Sequence, residues 1–73
     1  MYTVITSKTG KTEVLYFYGL PVAAKISGRV FAVKHVDNHV SKKVMQWCGG
    51  KKPVLKDGAW FAKVALRVLS SVL

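Results

Sequence analysis

The hydrophobic pattern changes character at Asp37-Asn38, and that change limits the fold more than any other feature of the chain. Ahead of it lie extended segments rich in β-branched and aromatic residues: Tyr2 to Thr6 (Y-T-V-I-T), Glu13 to Tyr18 (E-V-L-Y-F-Y), Val22 to Ile26 and Arg29 to Val36. Behind it, Val40, Val44, Trp47 and Cys48 recur at i, i+4, i+7 and i+8, the spacing of one helix face. Strands first and helices after give an α+β class. The expected architecture is a small antiparallel sheet of three or four strands, with one short and one longer helix packed on one face.

The punctuation supports this division. Ser7 to Thr12 is polar around Gly10 and reads as a turn. Gly19-Leu20-Pro21 reads as a bulge or kink inside an extended stretch, because Pro21 has no N–H to donate. Ser27-Gly28 reads as a two-residue hairpin loop, which sets Ile26 opposite Arg29 and Ala24 opposite Phe31. Val22, Ala24, Ile26, Phe31 and Val33 then share an apolar face with His35 at its end. Ala23, Lys25, Val30, Ala32 and Lys34 share the other, which is expected to be solvated. Asp37 is a candidate N-cap for the short helix, and Gly49-Gly50 supplies its left-handed stop. Pro53 to Leu55 is extended and suits a sheet edge. Asp57 can cap a final helix from Ala59 to Val72, whose one polar stripe is Lys63, Arg67, Ser70 and Ser71. A helix this apolar must be buried on two sides or dock on a partner. A homodimer through it is one expectation. Membrane action is disfavoured, because the stripe carries only Lys63 and Arg67.

Seventy-three residues hold a single domain, and 51% apolar with 21% charged residues is globular composition. No apolar run approaches the roughly 20 residues needed to cross a bilayer. The first residues lack the basic-then-apolar pattern of a signal peptide, and the one cysteine, Cys48, suits a reducing compartment. A cytoplasmic location is therefore expected. Twelve Lys and Arg oppose three Asp and Glu, for a net charge of +9. Such a surplus attracts anions: nucleic acid, an acidic protein surface, or anionic lipid.

Catalytic material is scarce. Glu13, Asp37 and Asp57 fall in separate elements, and the Ser7 to Thr12 loop lacks the spacing of a phosphate-binding loop. His35, Asp37, His39 and Cys48 have metal-ligand side chains, but a strand-to-helix junction scatters them and Cys48 faces the core. Neither an enzyme nor a cofactor is expected. Binding is better provided for. Lys42, Lys43, Lys51, Lys52 and Lys56 are the densest basic group, on a helix face and its following loop, with Lys8 and Lys11 a lesser pair. About five phosphate contacts give a slope near −4.5 in log K against log salt on duplex DNA. Tyr16 and Tyr18 alternate onto one strand face with Val14, where they either stack on unpaired bases or sit half-buried in the sheet. Trp60 and Phe61 are expected in the core.

Tyr18-Gly19-Leu20-Pro21-Val22-Ala23 reads Y-G-x-P-V-A, Gly28-Arg29-Val30-Phe31 follows as a hairpin, and Ser41-Lys42-Lys43-Val44 opens the helix. Across Val14 to Cys48 this order resembles a family of very small, functionally uncharacterised proteins of tailed phages and prophages. Lys43 stands where that family often has histidine, and His39-Val40 where it has two threonines, which weakens the helix cap. The resemblance implies a phage origin and life in the host cytoplasm, and it carries over no catalytic residue. The leading expectation is a non-enzymatic accessory protein that binds nucleic acid through the lysine patch. The rival is a protein–protein inhibitor, anti-CRISPR-like, that blocks an acidic surface of a host complex such as a nucleic-acid-guided defence nuclease.

Overall fold

The computed structural model describes residues 1–34 and 36–72, and for residues 71 and 72 the backbone only. His35, expected at the end of the apolar hairpin face and in the candidate ligand run, lies outside the described residues, as does the side chain of Ser71. The elements in order are β1 (Tyr2–Thr6), β2 (Thr12–Phe17), β3 (Leu20–Ile26), β4 (Arg29–Val33), α1 (Asn38–Trp47), β5 (Val54–Lys56) and α2 (Gly58–Val72). The class is α+β. The strands form one five-stranded sheet in sequence order, which exceeds the expected three or four. β1 to β4 pair antiparallel. β5 runs parallel to β4. Parallel neighbours need a long crossover, and α1 supplies it.

The extra strand comes from the Tyr18-Gly19 step. Both residues have positive φ, 49° and 82°, and Ser27-Gly28 repeats the pattern at 50° and 85°. Two successive left-handed residues are the signature of the tight hairpin turn that matches strand twist. The chain therefore reverses at Tyr18-Gly19 rather than kinking. The bulge does exist, but it lies further on: Leu15 faces Ala23 while Tyr16 faces Pro21, leaving Val22 as the extra residue. Pro21 occupies this irregular step, where a missing N–H does least harm to the ladder.

Register decides the layers. Leu15, Ala23 and Ala32 lie side by side across the sheet, as do Val14, Ala24 and Phe31. Adjacent residues point to opposite faces. Leu15, Ala23, Val30 and Ala32 pack beneath Val40, Val44 and Cys48 of α1. Val14, Tyr16 and Ala24 pack beneath Phe61, Val64, Ala65 and Val68 of α2. The helices thus cover opposite faces, not one face as expected; on the α1 side the edge-strand residues Val4 and Leu55 stay exposed. The hairpin face expected to be solvated is instead the floor under α1, with Ala23, Val30 and Ala32 all buried. Lys25 on that floor stays half-buried, its ammonium 4.5 Å from the centre of the Trp47 ring.

The two helix starts differ. The Trp60 N–H donates to Asp57 Oδ1 at 2.9 Å, satisfying one of the free donors at the start of α2. Asp37 occupies the N-cap position of α1 without any side-chain cap bond. Asp57→Ala is expected to remove about 1 kcal/mol of stability, lowering the thermal midpoint by roughly 4–8 °C for a domain this small. Asp37→Ala should lower it less, since only a charge near the helix dipole is lost. Circular-dichroism melts of the two variants make the comparison, and equal effects would contradict the capping assignment.

Candidate nucleic-acid interface

Four of the five lysines lie on α1 and the loop after it. Lys42 and Lys43 lie on the exposed side of α1, and exposed Lys51 and Lys52 follow its glycine stop. The Lys51 ammonium donates to the Gly28 carbonyl at 3.4 Å, which ties this segment to the β3–β4 turn beside Arg29. Lys56 leaves the group. It faces Val33 in the β4–β5 register, on the α2 side of the sheet, with its ammonium 5.7 Å from the centre of the Trp60 ring. The alternation along β5 causes this, since Leu55 aligns with Ala32 on the α1 side and Lys56 must point the other way. The contacts that place Lys43, Lys51 and Lys56 are rings and a carbonyl, not carboxylates. Their charge therefore remains available to an anion.

The two tyrosines part company. Tyr16 is buried under α2 at 8% exposure and cannot stack on a base. Tyr16 shares its face with Val14, and that face is covered by α2. Tyr18 is 75% exposed at the tip of the β2–β3 turn. Its ring meets Phe17 edge-on, with centres 4.7 Å apart. Phe17 also touches Tyr2 at 4.9 Å and His39 at 5.9 Å. The Lys43 ammonium stands 5.5 Å from the centre of the Tyr2 ring. Tyr2, Phe17, Tyr18, His39 and Lys43 so form an aromatic and basic corner at the amino-terminal end of α1. Tyr2 and His39 were not singled out for this. The signal that finds Tyr2 is register: with the turn at Ser7 to Lys11, Tyr2 falls opposite Phe17.

Tyr18 is held at a cost. A side chain in the left-handed region is disfavoured by roughly 1–2 kcal/mol, and turns of this type ordinarily place Asn, Asp or Gly there. With three-quarters of its area in water, the residue recovers little of that through burial.

The chemistry of a metal or nucleophile is less well served. Among the described residues no group of three His, Cys, Asp or Glu comes together. His39 joins the aromatic corner, while Cys48 packs under α1 at 3% exposure. Burial pushes its thiol up from the ordinary range, with the Lys25 charge opposing. Among the described residues no helix is long and apolar enough to cross a membrane. No family model, curated protein or solved structure matches the chain.

The Cys48 thiol gives a pH dependence. The folded state holds its proton more tightly than the unfolded chain, so stability is full below the ordinary thiol range and declines as pH rises through it. Urea midpoints measured across that range should fall in the native protein and fall less in Cys48→Ala. A thiol reagent should label Cys48 slowly until the protein is unfolded, and rapid native labelling would contradict its place in the core.

Proposed function

We propose that the chain is a non-enzymatic binding protein for single-stranded nucleic acid, and that the strand lies across the α1 side of the molecule. Lys42, Lys43, Lys51 and Lys52 engage phosphates. Tyr18, with Tyr2 beside it, offers a ring on which a base stacks, an interaction worth about 1–3 kcal/mol per base. The phage origin implied by the Y-G-x-P-V-A resemblance belongs to the same reading and would place the protein among accessory factors acting in the host cell.

The observation that carries the reading is Tyr18 itself: a ring 75% exposed, on a residue with φ of 49°, linked through the Phe17 and Tyr2 rings to the Lys43 ammonium. Neither packing nor turn chemistry asks for tyrosine there. Strain of this kind collects where function requires it. A stacking platform beside a cationic groove is the arrangement by which unpaired strands are held with little regard to sequence.

Fluorescence anisotropy with a labelled oligothymidylate at several salt concentrations tests it. Four phosphate contacts on a single strand predict a slope of about −3 in log K against log salt. Replacing Lys42 and Lys43 together with Gln should weaken binding and flatten the slope by about 1.4. Lys56→Gln should leave both unchanged. Tyr18→Asn should raise the thermal midpoint by relieving the turn while weakening the complex, a split that a purely structural role for the ring does not produce. Absent or salt-insensitive binding would end the proposal. Capture of an acidic protein by the same face, with the oligonucleotide ignored, would transfer the site to the inhibitor reading.

A further inference from the structure

The opposite side of the molecule carries a different kind of surface. Between α2 and the ends of β3 and β4 runs a groove of about 700 Å³, walled by Leu20, Val22, Val33, Ala65, Leu66 and Leu69. Sites for small molecules commonly occupy roughly 300–1,000 Å³. Leu20 and Leu66 are 68% and 66% exposed, so hydrocarbon reaches water along the rim.

Among the described residues, Tyr16 and Lys34 are the polar ones that line this groove, and Lys34 lines the hollow beneath α1 as well. The Tyr16 hydroxyl is inaccessible to solvent and has no hydrogen-bond partner among the described residues. Leaving such a group unpaired costs about 1–3 kcal/mol, and phenylalanine in its place would avoid the cost. Lys34 is exposed, and its N–H is fixed to the Lys56 carbonyl at 3.0 Å, which positions it where β4 ends. None of the three carboxylates of the chain lines the groove. Among the described residues its chemistry is hydrocarbon walls, one hydroxyl without a partner and one lysine.

We propose that this groove binds a long-chain carboxylate amphiphile, of the chemistry of a free fatty acid. The hydrocarbon tail lies along Leu66 and Leu69 and Lys34 supplies the counter-charge; the Tyr16 hydroxyl is closed off in the empty groove, so the rim leucines part as the head enters and accepts its hydrogen bond. A second copy of the chain fits less well, since it would bring two molecules of net charge +9 into contact. The site sits at the end of the sheet beside α2, with Val22 and Val36 of the α1-side cluster in its wall, and does not depend on nucleic-acid binding.

Titration calorimetry of the full chain with dodecanoate below its micellar concentration is the test, with dodecanol as the uncharged control. One saturable site is expected, preferring the carboxylate. Tyr16→Phe should melt at or above the wild-type temperature yet bind dodecanoate about tenfold more weakly, the loss of one hydrogen bond to a charged group. Lys34→Gln should remove the preference for carboxylate over alcohol. Ala62→Trp, which puts a ring into the groove from the exposed flank of α2, should abolish binding while oligonucleotide binding persists. No saturable site, or equal affinity in wild type, Tyr16→Phe and Ala62→Trp, would overturn the proposal. Binding of an acidic amphipathic peptide that excludes Ala62→Trp, with dodecanoate ignored, would overturn it too and assign the groove to a protein helix.

Discussion

Burial of the β2–β3 hairpin from both sides at once is the condition on which the rest of the molecule depends. Val14, Leu15, Ala23 and Ala24 are neighbours on the two strands, and none exceeds 1% exposure. Each consecutive pair points one residue toward α1 and the other toward α2. Burying a large aliphatic or aromatic side chain contributes about 1.5–3 kcal/mol, so neither thin cluster alone can hold so short a chain against its conformational entropy. The alanines do a second job. Without bulk at the centre of the sheet, α1 and α2 can both settle close to the backbone. Loss of either helix would expose half of the hairpin, which makes the layers mutually dependent.

The strands and helices are legible in residue type, spacing and caps, and the Ser27-Gly28 register is set by loop length alone. The strand count is not legible because tyrosine at position 18 masks a turn that Asn-Gly would have announced. The second layer is legible in retrospect. Val14-Leu15-Tyr16 and Val22-Ala23-Ala24 are unbroken apolar runs, the mark of strands covered on both faces, whereas a half-exposed strand alternates. For the candidate site, Lys42, Lys43, Lys51 and Lys52 were visible as a helix face and its loop. Lys56 was lost to strand parity and Tyr16 to a helix arriving from more than forty positions away. Long-range covering of that kind leaves no trace in local spacing.

Two tyrosines separated by one residue mark the places where local preference and global structure disagree. Tyr18 accepts a backbone conformation ill suited to its side chain, and Tyr16 buries a hydroxyl without a partner. Elsewhere, Ser27 at φ 50° apart, the preferences agree: glycines stand in the turns, Asp57 caps α2, and apolar residues fill both clusters. A radius of gyration of 11.2 Å matches a compact domain of this length, so the disagreements do not come from loose packing. In sequences that are otherwise self-consistent, such conflicts concentrate at functional sites. The turn sends the two residues to different surfaces, one to the aromatic corner and the other to the groove.

Whether those surfaces act separately is a question of distance and screening. The molecule measures 33 × 22 × 21 Å, the groove opens beside α2 at one end of the sheet, and the lysines lie exposed on α1 and the loop after it. At physiological ionic strength the Debye length is about 8 Å, so exposed charges on one side contribute little field on the other. Anion preference in the groove must then come from Lys34 locally, and the salt dependence of the α1 side from its own lysines. At low salt the screening length grows toward the size of the molecule, and the surplus of nine charges acts as a single field. An anion bound on either side would then relieve part of the self-repulsion felt by the other. If both surfaces bind anions as proposed, they would act independently in a cell-like medium and antagonistically in dilute buffer, because each bound anion would lower the positive potential that draws the next.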